Sequence, residues 1–193
     1  MNLKPYIVHL LSGGLDSVAM LYELVETSHV HCLMFDYGQV HRDELKWAKI
    51  HAERLHLKYT IAELMQVKHL FQHSALTDGS GSNIVPNRNA VFLHIAAGIA
   101  FSIGADLVTI GCNKDDRANF PDCTPQFIAT INASLKESKI KVEVCAPYSA
   151  LTKTQIVARA KEKGWPFRDS TSCYRGTNCM ECDACIKRAE ALL

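Results

Sequence analysis

The sequence predicts a Rossmann-like α/β fold, a parallel sheet with helices on both faces, followed by a small C-terminal segment built around four cysteines. Three observations carry the prediction. Short β-branched and aliphatic runs alternate with stretches of helical periodicity along 193 residues. A tight Gly-rich turn, Ser12-Gly13-Gly14-Leu15-Asp16-Ser17, joins the first run to the first periodic stretch. Four of the eight cysteines, Cys173, Cys179, Cys182 and Cys185, crowd into the C-terminal region. Residues 1–165 therefore read as an α/β domain and residues 166–193 as a metal-binding segment packed on it.

The elements follow in order. Tyr6 to Leu11 reads as a short buried strand, and Val18, Ala19, Leu21, Tyr22, Leu24 and Val25 mark a helix after the turn, with Ser17 as its cap. Val30 to Phe35 is a second strand. His41 to His56 is a helix with Leu45, Ala48, Ala52 and Leu55 on one face. Tyr59 to Leu64 is a third strand. Residues 74–87, rich in Ser, Gly, Asn and Asp, form a loop. Arg88 to Ile103 is a buried helix stopped by Gly104. Leu107 to Ile110 is a strand, Pro125 to Lys136 a helix, Ile140 to Ala146 a strand, and Thr152 to Lys163 a helix ended by Gly164.

Bulk composition narrows the function. A hydrophobic content of 48% supplies a core, and a net charge of +1 argues against nucleic-acid binding by bulk electrostatics. No secretory signal is visible, and the longest apolar stretch, Val91 to Phe101, is too short to span a bilayer. A cytoplasmic protein that contacts no membrane is expected, and there cysteines serve metal binding more often than disulfides.

Ligands of parallel α/β folds sit at the carboxyl ends of the strands, where three polar clusters fall. The turn of Ser12 to Ser17 offers unpaired backbone N–H groups at a helix N-terminus, which suits a phosphate. It is neither G-x-x-x-x-G-K-[ST] nor G-x-G-x-x-G. The cluster FDYGQVHRDEL (35–45) gathers Asp36, Gln39, His41 and Glu44, though Asp43 and Glu44 can also simply complement a helix dipole. The cluster GCNKDDRANFPDC (111–123) holds Asp116 and Asp122, suited to Mg²⁺ or to the edge of a base, or else is a solvated loop. Arg88 and Asn89 open an apolar helix, where an Arg fits poorly with the dipole unless it meets an anion. Cys179, Cys182 and Cys185 form C-x-x-C-x-x-C with Cys173 just upstream, a spacing suited to a closed tetrahedral zinc site. An iron–sulfur cluster is the main rival. Residues 151–193 carry eight Lys/Arg against five Asp/Glu, which offsets the negative charge of four thiolates.

The turn S-G-G-L-D-S resembles the signature loop of the PP-loop ATP pyrophosphatase superfamily. Taken with F-D-Y-G-Q-V-H-R-D-E-L, V-P-N-R-N, P-D-C, L-T-K and S-C-Y before C-x-x-C-x-x-C, the chain resembles the QueC family of 7-cyano-7-deazaguanine synthases over nearly its whole length. It departs from the family pattern at Asn87, where Gly is usual, at Phe120 and Thr124, where Tyr and Arg are usual, and in having only five residues between Cys173 and Cys179.

The resemblance implies an adenine nucleotide α-hydrolase-like fold and a carbon–nitrogen ligase that splits ATP to AMP and pyrophosphate. It implies ATP binding by Leu10, Leu11, Ser12, Gly13, Gly14, Leu15, Asp16, Ser17, Val18, Ala19 and Met20, with Asp36, Tyr37 and Gln39 near adenine and ribose. Asp16, Lys153 and Asp116 would act in catalysis, and His41, Glu44, Arg88, Asn89, Phe120 and Asp122 would hold the substrate. Zn²⁺ would be held by Cys173, Cys179, Cys182 and Cys185, and Mg²⁺ would accompany ATP. The implied reactants are 7-carboxy-7-deazaguanine, ammonia and ATP, handled by a homodimer with no direct nucleic-acid contact. Three other readings remain open here: a branch stopping at the amide, a PP-loop tRNA thiolase or lysidine-forming ligase, and a non-enzymatic zinc-ribbon module. The RNA-directed reading needs a basic face or a further domain that the near-neutral charge does not suggest.

Overall fold

The computed structural model describes residues 4–79, 82–176 and 178–193. Strands β1 (Tyr6–Leu10), β2 (His29–Asp36), β3 (Lys58–Glu63), β4 (Leu107–Thr109) and β5 (Glu143–Cys145) form one parallel sheet in the order β3-β2-β1-β4-β5. Each parallel pair needs a crossover, and helices supply it. These are α1 (Leu15–Thr27), α2 (Glu44–Arg54), α3 (Arg88–Ile103) and α4 (Pro125–Glu137), while α5 (Lys153–Lys163) and α6 (Asp183–Leu192) follow β5.

Both faces of the sheet are covered. On one, Val8, Leu33, Phe35, Val108 and Val144 pack against α3 and α4, and Phe35 stacks on Phe92 with ring centroids 3.9 Å apart. On the other, Val30, Cys32 and Met34 pack against Val18 and Leu21 of α1 and Ala48 and Ala52 of α2. Beyond them Leu15, Ala19 and Met20 of α1 meet Ile156, Val157 and Ala160 of α5 with Trp165, Phe167 and Ala191. Burial on both faces explains why the strands read as continuous apolar runs.

Most boundaries follow local chemistry. Thr152 and Gln155 form a reciprocal capping box that starts α5, and Gly164, in the left-handed conformation, ends it. Thr124 accepts from Phe127 N at 3.2 Å and caps α4, which gives this departure from the family pattern a structural role. Asn87 has φ of 58°, a conformation that Gly adopts freely and Asn tolerates, so the usual Gly and the Asn found here meet one backbone demand.

Four expectations are corrected. Ser17 does not cap α1: the helix begins two residues earlier, Gly14 occupies the cap, and Ser17 Oγ donates to Gly14 O at 3.0 Å. The helix expected from His41 starts at Glu44, because residues 41–43 form a turn. β5 covers only Glu143–Cys145, its expected N-terminal part being irregular. The C-terminal segment contains a helix, α6, that the cysteine spacing masked. Residues 1–3, Ser80 and Gly81 of the loop at 74–87, and Thr177 of the cysteine segment lie outside the described residues. Among the described residues no helix is long and apolar enough to cross a membrane.

Candidate active site and four-cysteine centre

The sheet order reverses between β1 and β4, which opens a crevice at their carboxyl ends. A cavity of about 270 Å³ occupies it. The turn after β1 forms its floor. Gly13 has φ of +86°, and a Cβ there would lie 2.0 Å from Glu44 O, so the turn passes against the start of α2 where only glycine fits. Ser12 Oγ accepts from Gly14 N at 3.2 Å and lies 3.1 Å from Ser17 Oγ. Gly111, after β4, is confined less severely: a Cβ would lie 3.2 Å from Ser17 N.

A charged cluster lies beside this turn. Asp16 Oδ2 is 3.2 Å from Lys153 Nζ at the start of α5 and accepts from Asn113 Nδ2 at 3.1 Å. Asp16 Oδ1 is buried without a hydrogen-bond partner. An orphaned buried carboxylate oxygen beside a phosphate-type turn fits a divalent cation, so Asp16 would be the residue to hold Mg²⁺. Asp116 lies nearby, and burial together with the charge of Asp16 raises its carboxyl above the ordinary range. Burial works against the Lys153 ammonium, but Asp16 and Asp116 outweigh it and hold Lys153 charged.

Tyr37, Arg88, Asn89, Phe120 and Asp122 also line the cavity, as do Phe35 and Phe92. The Arg88 guanidinium donates to Tyr37 Oη at 3.1 Å and sits 5.9 Å from that ring's centroid. Burial opposes its charge, while Tyr37, Asp122 and Glu44 more than offset that and keep it a cation. Asn89 donates to Asp122 O at 3.4 Å. His41 Nε2 lies 3.3 Å from Glu44 Oε1, and His41 Nδ1 is buried without a partner.

The structure therefore gathers most of the residues singled out from the sequence. Leu10, Leu11, Ser12, Gly14, Leu15, Asp16 and Ser17 line the cavity. So do Tyr37, His41, Glu44, Arg88, Asn89, Asp116, Phe120, Asp122 and Lys153. Others lie outside it. Val18, Ala19 and Met20 face the core, because the helical turn carries them away from the turn's open side. Asp36 is tied to the Arg42 guanidinium and accepts from Gly38 N at 3.3 Å. Gln39 is buried as a brace, accepting from Tyr37 N at 3.0 Å and donating to Phe35 O at 3.1 Å. Asp36 and Gln39 thus shape the turn that presents Tyr37. Gly13 acts through the close approach of its backbone.

The C-terminal segment supplies residues that sequence reasoning missed. Thr171, Ser172, Tyr174 and Ala184 line the cavity, and Thr171 N donates to Gly13 O at 3.1 Å. Burial pushes the Tyr174 hydroxyl up to about 12. The S-C-Y motif was the available signal, but the cysteine alone drew the assignment. Cys112 and Cys123 also line the cavity, Asn89 Nδ2 lying 3.8 Å from Cys123 Sγ.

The ligand atoms of Cys173, Cys179, Cys182 and Cys185 lie within 4.8 Å of one another, with Cys173 and Cys179 Sγ 3.7 Å apart. Zn–S bonds of about 2.3 Å in a tetrahedron put sulfurs roughly 3.8 Å apart, so the four thiols fit that ion. The N–H groups of Cys179 and Cys182 donate at 3.4 Å to Cys173 and Cys179 Sγ, as oriented outer partners of thiolates do.

Comparison with known proteins converges on one family. The family model described as queuosine biosynthesis protein QueC matches residues 6–193. The chain belongs to the QueC family. QueC relatives include a 7-cyano-7-deazaguanine synthase of Hahella chejuensis, 36% identical over 95% of this chain and 87% of that protein. Another, from Archaeoglobus fulgidus, is 34% identical over 96% of this chain and 85% of its own length. Among solved structures, the U34-tRNA thiolase NcsA of Methanococcus maripaludis, determined with its [4Fe-4S] cluster, aligns with a TM-score of 0.60 at 19% identity. That alignment covers 99% of this chain and 71% of the other. The NH3-dependent NAD synthetase of Campylobacter jejuni aligns with a TM-score of 0.55 at 18% identity, covering 88% of this chain and 68% of the other. At these identities the QueC chain shares a fold with both, as the parallel sheet and crevice indicate.

Proposed function

We propose that this chain is a carbon–nitrogen ligase that converts 7-carboxy-7-deazaguanine and ammonia to 7-cyano-7-deazaguanine at the expense of ATP. The observation that carries the reading is its likeness, along nearly all of both chains, to proteins named 7-cyano-7-deazaguanine synthase. A cavity that combines the turn of Ser12 to Ser17 and Lys153 with Arg88, Asn89 and aromatic side chains supports it.

The polyphosphate lies over the turn of Ser12 to Ser17, whose backbone N–H groups and Lys153 face the charge that develops on pyrophosphate. The deazaguanine lies at the other end, where Phe120 offers a flat apolar surface and Arg88, Asn89 and Asp122 offer polar edges. The substrate carboxylate attacks the α-phosphorus, the α–β bridging bond breaks, and an acyl-adenylate forms with loss of pyrophosphate. Ammonia attacks the acyl carbon, AMP leaves, and an amide results. The amide oxygen attacks the α-phosphorus of a second ATP with loss of a second pyrophosphate, and departure of AMP with the two remaining N–H protons gives the nitrile. Each oxygen of the original carboxylate departs on one AMP. The protein's task is to align reactants and neutralise the leaving group. Mg²⁺, held at Asp16, would supply further charge neutralisation. The four-cysteine Zn²⁺ site is closed and would serve the fold. The reading includes a homodimer in the cytoplasm and an α/β unit of residues 1–165 joined to the segment 166–193.

Labelling the substrate carboxylate with ¹⁸O tests the whole sequence. Two AMP per substrate, each carrying one label, with an unlabelled nitrile, is the expected result. One labelled AMP with accumulating amide would identify an amide-forming branch. No AMP would defeat the substrate assignment.

A further inference from the structure

Arg188 lies outside the signature turn, the strand-end clusters and the four cysteines. It sits on α6, whose first residues belong to the metal-binding segment: Cys182 precedes the helix and Cys185 lies in its first turn. Ala184 lines the cavity. Residues three and four positions further along a helix share its face, so Lys187 and Arg188 follow Ala184 on one face of α6, just beyond the residues that line the cavity. The Arg188 guanidinium is half-buried. Its Nη1 donates to Ser170 Oγ at 2.8 Å and its Nη2 to Arg168 O at 3.1 Å. Both partners are neutral, although a guanidinium out of water is best matched by an anion.

Position says which anion. Ser170 precedes Thr171, whose N–H is bonded to Gly13 O at 3.1 Å, so the residue that braces Arg188 is one peptide from the phosphate-type turn. The charge of Asp16, which pairs with Lys153, also reaches Arg188, and the two cations act on one another.

We propose that Arg188 is a pyrophosphate-binding residue: it adds a second cation to Lys153 beside the turn at Gly13, and the four-cysteine segment carries it there. The proposal rests on the reading that a nucleoside triphosphate occupies the cavity. It gives the metal-binding segment a share in the site, because the cysteines that would hold Zn²⁺ fix the start of the helix bearing Arg188.

The test uses the full, metal-loaded chain and inorganic pyrophosphate as the probe. Arg188→Met should bind pyrophosphate at least about tenfold more weakly, the loss of one charge-assisted contact, while metal content and AMP affinity stay at wild-type values. Unchanged pyrophosphate affinity in a metal-replete variant would overturn the proposal. Should that variant lose its metal or its fold, the wild-type chain decides. Pyrophosphate, but not AMP, should protect Arg188 from phenylglyoxal, read by peptide mass spectrometry, and absence of protection overturns the proposal. Pyrophosphate binding with Arg188 protected, but without nitrile formation, would defeat the proposed reaction and leave this inference standing.

Discussion

Lys153 Nζ lies 3.2 Å from Asp16 Oδ2, so the first turns of α5 and α1, remote in sequence, meet in an ion pair at the edge of the crevice. Asp16 spends one oxygen on this pair and on Asn113, and keeps the other buried and unpartnered. Asp16→Asn should preserve the bond to Asn113 or its equivalent and the fold, while lowering AMP release by roughly 10²-fold or more through loss of the charge opposite Lys153 and the cation. Steady-state AMP production beside a thermal melt checks this. A folded variant with wild-type turnover would remove Asp16 from the mechanism.

His9 provides a pH signature. It is fully buried, with Nε2 2.9 Å from Ser17 O and Nδ1 2.8 Å from Thr109 Oγ1. A carbonyl can only accept, so Nε2 carries the proton and Nδ1 accepts from the Thr109 hydroxyl. Burial lowers the His9 pKa from 6.5 to about 4, its two hydrogen bonds only partly opposing the shift. The folded chain thus holds His9 neutral where the unfolded chain takes up a proton. Stability from this residue is complete above pH 6.5 and is lost as pH falls toward 4, by about 3 kcal/mol in all. Urea midpoints measured across that window should fall less steeply for His9→Gln than for the wild-type chain.

Gly13→Ala should be strongly destabilising. The left-handed φ of +86° costs a side-chain-bearing residue about 1–3 kcal/mol, and the new methyl would sit 2.0 Å from Glu44 O. Either the turn or α2 must shift. A drop in the urea midpoint larger than that of Gly79→Ala, where a methyl meets open space at a similar φ, is the expected outcome.

Elemental analysis should find about one zinc per chain. Cys185→Ser should abolish it, while Cys145→Ala should leave it unchanged. Removing the metal should lower the melting temperature and weaken ATP binding, because Thr171, Ser172, Tyr174 and Ala184 form one wall of the cavity. Iron in place of zinc would move the centre to the cluster chemistry of the tRNA thiolase that shares this fold.

The sheet and its crevice were legible because strands buried on both faces leave unbroken apolar runs, as at Val30 to Phe35, and because a turn such as Ser12 to Ser17 has few other uses. The near side of the cavity was legible for the same reason. The far wall was not. The C-x-x-C-x-x-C run overlaps α6 only at Cys185, so the cysteines drew the reading away from the helix that follows, and no side-chain cap or terminal glycine marks it. Gln39 and Asp36 read as ligand contacts because a polar residue after a strand looks the same whether it points at a ligand or braces its own backbone. In the structure Gln39 donates to Phe35 O and accepts from Tyr37 N, bonds within its own loop that the sequence does not announce.

The bond from Thr171 N to Gly13 O ties together two segments that are remote in sequence, and it bears on how the protein is made. Synthesis runs from the amino terminus, so the turn of Ser12 to Ser17 leaves the ribosome well before the residues that close over it. A nascent chain halted before Thr171 would have its sheet but would lack Thr171, Ser172, Tyr174 and Ala184 as a wall of the crevice. Closing so long a loop is an entropically late event. The crevice is thus completed after the sheet that carries it.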